Sequence, residues 1–367
     1  MILMNDFGRE DPDIRSGMQK AANRVLASGW YVLGNEVKAF ESAWAQACGV
    51  SHCVGVGNGM DAIEISLRAI GIGAGDEVIT TPMTAFASVL AIVRAGAVPI
   101  LADVHLGSGQ MSLESAARCV TPNTKAVLLV HLYGQIRDIN KWTEFCSSRG
   151  LELIEDCAQA HLASVDGKAA GSFGRAGAYS FYPTKNLGAI GDAGMLVTND
   201  AQLAACAERL RNYGQSKRYY HSEIGMNSRL DELQAALLRE RMNWLQEFTD
   251  RRRAIAQKYA LGIRNPAVIK LSQPQHASAH VFHLYVVRTQ QRDTLQAYLL
   301  EKQIQTLIHY PVPVHMQQPC RTIRRDPAGL SNSEEFAATC LSLPCHPQLS
   351  DDETVQVIEA VNSFGAA

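Results

Sequence analysis

Apolar residues recur along this chain in two rhythms. Short, nearly unbroken apolar runs fall at residues 77–81, 98–102, 126–131, 151–154, 176–181 and 194–197. Each is the length of a strand, and such runs read as strands buried on both faces. Helix-like intervals separate several of them, at residues 138–148 and 202–212. Ahead of the first run lie two more, residues 36–48 and 61–70, the second with apolar Ala62, Ile63, Ile65, Leu67 and Ile70. Strands alternating with helices predict an α/β fold, a mostly parallel sheet covered on both faces.

A different pattern follows. Leu230, Leu233, Leu237, Leu238, Met242, Leu245 and Phe248 recur at threes and fours, predicting one long helix over residues 230–261 that Asn265-Pro266 ends. Beyond it, residues 281–287 read as a strand, and residues 293–302 and 351–362 as helices. The expected division is a large domain, residues 1–244, and a small α+β C-terminal domain, residues 245–367. At 367 residues the chain exceeds what one core usually supports.

Composition narrows the class. Apolar residues make up 47% and charged residues 19%, and the formal net charge is −2. No global field favours nucleic acid or a membrane surface. Arg251-Arg252-Arg253 reads as a solvated helix face. The N-terminus lacks the pattern of a signal peptide, and the longest apolar run, residues 83–93, is cut by Arg94, too short to span a bilayer. Nine cysteines without a Cys-x-x-Cys pair predict free thiols in a reducing cytoplasm.

The chemistry gathers where apolar runs end, which is where open α/β sheets bind ligands. Lys185 stands in Tyr179-Ser180-Phe181-Tyr182-Pro183-Thr184-Lys185-Asn186-Leu187-Gly188, and Asp156 in Ile154-Glu155-Asp156-Cys157-Ala158-Gln159-Ala160. A glycine turn, Gly55-Val56-Gly57-Asn58-Gly59-Met60-Asp61, opens the helix at 61–70. Pyridoxal 5'-phosphate (PLP) needs these three parts: a lysine for the Schiff base, an acid to hold the pyridine nitrogen protonated, and a turn with free N–H groups for the phosphate. Two other motifs fail. The glycine turn has Met60 where a dinucleotide fingerprint needs its third glycine. His276, His280 and His283 do not fall on one face if 281–287 is a strand, so no metal site is expected. His131 and His161 read as hydrogen-bonded core histidines.

These segments resemble the DegT/DnrJ/EryC1/StrS family of nucleotide-sugar aminotransferases, within the fold-type I PLP enzymes. So do Gly75-Asp76-Glu77-Val78-Ile79, Gly191-Asp192-Ala193-Gly194, Gly225-Met226-Asn227-Ser228-Arg229-Leu230-Asp231-Glu232 and Leu307-Ile308-His309-Tyr310-Pro311. The resemblance implies that Lys185 and Asp156 are catalytic. It further implies that Gln159 touches the phenolic oxygen of the cofactor, and that Gly59, Met60 and Ser180 hold the phosphate. Asn227 would reach the phosphate of the neighbouring subunit, making a homodimer with shared sites. His309 and Tyr310 would meet substrate. The family's usual ring-stacking aromatic is replaced by Ala85. Either Phe86 takes that place or something smaller covers the ring. The implied reaction is amino transfer from an amino acid, expected to be L-glutamate, to C3 of a dTDP-linked 3-keto-6-deoxyhexose. C4 amination of a dTDP-, UDP- or GDP-4-keto sugar and PLP-dependent sugar dehydration are alternatives. Lys185 speaks against the dehydratases, which carry histidine there.

Overall fold

The apolar runs line up as neighbours. In a computed structural model, which describes residues 1–365, eight strands form one sheet. Their order is His52–Val56, Gly194–Thr198, Ala176–Ser180, Glu152–Asp156, Thr124–Val130, Glu77–Thr80, Val98–Leu101 and Arg324–Arg325. Gly194–Thr198 alone runs antiparallel to its neighbours; the other pairings are parallel. This is the mostly parallel, doubly covered sheet the pattern predicts.

The reason for unbroken apolar runs is visible in the packing. Successive residues of one strand enter different cores. Val127 and Leu129 pack with Phe40, Trp44 and Tyr179, whereas Ala126 and Leu128 pack with Ile63, Ile65 and Leu203. With both faces dry, polar alternation would place a polar group in one core or the other.

Three expectations change. The helix expected over 230–261 is two helices, Glu232–Met242 and Leu245–Gly262, parted at Asn243 and Trp244. Its first part starts at Glu232, after Asp231 in extended backbone, and the Glu232 carboxylate accepts hydrogen bonds from the Gly34, Glu36 and Val37 N–H groups, capping the helix Asn35–Cys48. The strand expected over 281–287 is shorter, Tyr285–Arg288. Val281 donates to the Gly134 carbonyl, and Phe282 has a φ of 46°, which ends extended pairing. The helices Pro12–Ser28 and Phe86–Arg94 and the strand His52–Val56 were not anticipated.

Toward the C-terminus, strands Ile269–Lys270, Tyr285–Arg288 and Cys340–Leu343 form a small antiparallel sheet. Its core joins Ile255, Tyr259, Leu295 and Val357 to Ile2 from the other end of the chain. Arg324–Arg325 leaves this region to extend the large sheet, fixed by Asp326, which donates its N–H to the Leu101 carbonyl and accepts from Arg118. No helix among the described residues is long and apolar enough to cross a membrane.

Candidate active site

The strand Glu152–Asp156 delivers its last residue, buried, to the carboxyl edge of the sheet. The Ser88 hydroxyl donates to Asp156 Oδ2 at 2.7 Å, and the Ala158 N–H donates to Oδ1 at 3.1 Å. Ser88 is itself 2.7 Å from Thr84 Oγ1. No helix follows Asp156, so the carboxylate caps none. It is held in place by a hydroxyl and a backbone amide.

Lys185 lies in the loop after the strand Ala176–Ser180, its N–H bonded to the Tyr182 carbonyl at 2.8 Å. Burial pushes its amine down to about 8, and the negative charge of Asp156 opposes this only in part. The next two residues anchor the loop. Asn186 donates to the Val281 carbonyl at 3.2 Å and lies 3.1 Å from His283 Nδ1. The Leu187 N–H donates to His161 Nδ1 at 3.0 Å. His161, buried against Trp44, Tyr179 and Phe181, is held down to about 3 by burial and by the nearby charge of Lys185. It is the hydrogen-bonded core histidine the sequence suggested.

The glycine turn forms a cradle. Asn58 caps the helix Gly59–Ala69 by accepting from the Asp61 N–H at 2.8 Å, and Ala62 N–H bonds the Asn58 carbonyl. The Gly59 and Met60 N–H groups find no acceptor among the described residues, leaving two donors at a helix start. A Cβ at Gly59 would lie 2.6 Å from Ser180 Cβ, so the turn touches the Ser180 segment only because position 59 is bare. Ser228 secures the turn by accepting from Gly57 N–H and donating to Asp61.

The third side comes from elsewhere. Gln159 accepts from the Tyr133 N–H at 2.6 Å and donates to the Tyr310 hydroxyl at 3.3 Å. Tyr133 donates its hydroxyl to the His309 carbonyl. His309 Nδ1 lies 2.8 Å from Ser342 Oγ. Burial, reinforced by the Lys185 charge, holds His309 down to about 4; burial and the Asp156 charge push Tyr310 up to about 12.

Asp156, Gln159, Lys185, His309 and Tyr310 thus converge, and Gly59 and Ser180 meet. Two sequence-derived candidates stand apart. Asn227 is exposed, four residues before the Asp231 cap position, so it does not cap the helix Glu232–Met242. Phe86 opens the helix Phe86–Arg94 at 40% exposure, so it is no core residue. Ser88, Tyr133, Asn186 and His283 were missed. Ser88 carried a faint signal, a hydroxyl four residues after Thr84 inside an apolar run. Tyr133, with its positive φ before Gly134, carried none. His131, Glu155 and Cys157 form the one buried group of metal-ligand types among the described residues. Glu155 there already accepts from the Gly171, Phe173 and Gly174 N–H groups and lies 2.8 Å from His131 Nε2, the pattern of a satisfied buried pair.

These residues fit PLP: a half-buried amine of lowered proton affinity, a fixed carboxylate, and two unspent N–H donors beside Ser180. The comparisons agree. The model of the DegT/DnrJ/EryC1/StrS aminotransferase family matches residues 12–362. A relative from Aneurinibacillus thermoaerophilus, dTDP-3-amino-3,6-dideoxy-alpha-D-galactopyranose transaminase, is 46% identical over 365 residues, covering 100% of both chains. The crystal structure of S. venezuelae DesV in complex with a ketimine intermediate superposes with a TM-score of 0.95 at 40% identity, over 99% of this chain and 98% of that one. Bacillus subtilis NtdA, solved with bound PMP, gives a TM-score of 0.89 at 27% identity, over 96% and 82%. The chain belongs to the DegT/DnrJ/EryC1/StrS aminotransferase family and is a PLP-dependent sugar aminotransferase.

Proposed function

We propose that the enzyme transfers the amino group of L-glutamate to C3 of a dTDP-linked 3-keto-6-deoxyhexose. The product is a dTDP-3-amino-3,6-dideoxyhexose for a cell-surface polysaccharide or a glycoside, made in the cytoplasm. The full-length similarity to a transaminase named for a dTDP-3-amino-3,6-dideoxyhexose carries this reading.

When bound, PLP supplies a carbonyl carbon for the amine and a ring that draws electrons from a breaking C–H bond. Lys185 would hold the cofactor, and its amine would serve to take up and return the proton of the substrate carbon. An amine that titrates near 8 has a useful neutral fraction at physiological pH, which a proton acceptor needs. Asp156 would keep the ring nitrogen protonated, and Ser88 holds Asp156 in place. Gln159 would meet the phenolic oxygen, and the Gly59 and Met60 N–H groups with Ser180 would hold the phosphate. His309 and Tyr310 line the approach of the sugar. Phe86, exposed at the start of its helix, is the aromatic that would cover the ring.

Asn227 serves the neighbouring subunit in a homodimer. Its exposure supports this, as does the bridge between Val32 and Asp231. That bridge sets the exposed Trp30, Tyr31 and Val32 next to the same segment. Two-fold pairing of such a strip would complete two equivalent sites.

The test is a panel of dTDP-, UDP- and GDP-linked 3-keto and 4-keto sugars offered with glutamate, the new amine located by NMR. Amination at C3 of the dTDP sugar is expected. Turnover confined to 4-keto sugars, or loss of water from the sugar without amination, overturns the assignment.

A further inference from the structure

The peptide that carries Lys185 is fastened to a segment distant in sequence. Asn186 is buried and adjoins the lysine. Its Nδ2 donates to the Val281 carbonyl at 3.2 Å, and its Oδ1 lies 3.1 Å from His283 Nδ1. A carboxamide oxygen only accepts, so the proton of His283 sits on Nδ1. Residues 281–283 are themselves tied on two sides. Val281 donates to the Gly134 carbonyl, and buried Arg252, on the helix Leu245–Gly262, donates to the carbonyls of Phe282, His283 and Cys345.

The same segment bears on the Gln159 side. A Cβ at Gly134 would lie 2.6 Å from the Gln159 carbonyl and 3.2 Å from the His283 N–H nitrogen, so Gly134 is the spacer between them. On its other side His283 borders a cavity of about 80 Å³ shared with Thr184, Leu307, His309 and Cys345. The loops bearing Lys185, Gln159 and His309 therefore all abut this one short segment.

We propose that Asn186 and His283 are positioning residues, a buckle through which the C-terminal part of the chain fixes the Lys185 peptide and keeps water from its amine. The inference rests on the role given to Lys185 above. His283 works as the neutral imidazole. The charges near it are Lys185 and Arg252, with His309 and His161 beside them, and together with burial they hold its proton affinity well below the usual histidine range. Arg252 also stiffens the segment by taking carbonyls from both the 281–283 stretch and the Cys345 stretch. Loosening the buckle admits water to the amine and lets it wander.

The variants are Asn186→Ala, His283→Phe and the donor-retaining His283→Gln, each compared with the parent. Two readouts are needed. In the PLP-free protein, competitive acetylation across pH, followed by peptide mass analysis, gives the titration midpoint of the Lys185 amine. In the PLP-loaded enzyme, the pH midpoint of the visible band and the steady-state constants are measured. Asn186→Ala and His283→Phe are expected to raise the amine midpoint by about one unit or more, because desolvation is relieved. They are expected to lower kcat by roughly tenfold with KM for the amino donor within about threefold, the signature of a misplaced catalytic group. His283→Gln is expected to restore most of both. An unmoved amine midpoint and a kcat within about twofold of parent in His283→Phe overturn the proposal, even if Asn186→Ala fails to fold. Borohydride reduction with peptide mapping separates the underlying assignment: cofactor trapped on another lysine refutes the role of Lys185 itself, whereas unchanged trapping on Lys185 with unmoved midpoints refutes only the buckle.

Discussion

Ser88 donates its hydroxyl to Asp156 Oδ2 at 2.7 Å, so the acid expected to face the pyridine nitrogen is aimed by a residue on a different element, the helix Phe86–Arg94. Ser88→Ala should leave PLP bound but lower kcat several-fold, since one buried hydrogen bond contributes about 1 kcal/mol. Asp156→Asn should cost orders of magnitude, because it removes the charge itself. Steady-state kinetics on both decide the point, and equal losses would mean that Ser88 does more than aim.

Gly59 is bare because Ser180 stands against it. Gly59→Ala places a Cβ 2.6 Å from Ser180 Cβ. The two must part, and the cradle opens. PLP affinity should fall tenfold or more, about 1.4 kcal/mol, by equilibrium dialysis of the folded variant. Affinity equal to the parent would move the phosphate site elsewhere.

Lys185 makes the PLP-free fold carry a cost. Its folded proton affinity, near 8, is below the ordinary lysine value. Below pH 8 both folded and unfolded chains hold the proton, and the fold bears the full penalty. As pH rises toward 10.5 the unfolded chain binds more protons than the fold, and stability rises. Lys185→Met should therefore stabilise the PLP-free protein at pH 7 by about 1–3 kcal/mol, with a gap that narrows above pH 8. Thermal melts at pH 7 and pH 9.5 test this; a variant less stable than parent at pH 7 contradicts it.

Acid should act on the histidines of lowered proton affinity. His161 and His280 are held down to about 3 and His309 to about 4, chiefly by burial. Between pH 6.5 and 4 the unfolded chain takes up protons that the fold refuses. Stability falls with pH by about 1.4 kcal/mol per unit for each such histidine. Urea unfolding at pH 7, 5.5 and 4.5 should show the loss, and His280→Gln should flatten the slope. Stability constant down to pH 4.5 would show the rings accept protons in place.

Shared active sites have a direct assay. Lys185→Ala and Asn227→Asp proteins, mixed under conditions that exchange subunits, form heterodimers in which one site regains both native residues. Activity should rise above either parent variant. No recovery despite demonstrated exchange would confine each site to one subunit.

The sequence by itself determined what depends on local order and chemistry. Apolar runs had to be strands because polar alternation is absent where both sheet faces are dry, and they formed the mostly parallel sheet the pattern predicts. Lys185, Asp156 and the Gly57-Asn58-Gly59 turn could be proposed from the sequence because PLP chemistry asks for such groups, and these stand where apolar runs end. Tertiary structure decided the partners that arrive from far away. Ser88 meets Asp156 across 68 residues, Tyr310 meets Gln159 across 151, and His283 meets Asn186 across 97. Such contacts leave no periodic trace, since one hydroxyl or imidazole in an apolar segment looks alike whether it faces a site or a core. The shortened strand at Tyr285 has the same origin. Extended propensity runs through residues 281–287, and the Val281 N–H bond to the Gly134 carbonyl with the positive φ of Phe282 sets where the strand begins.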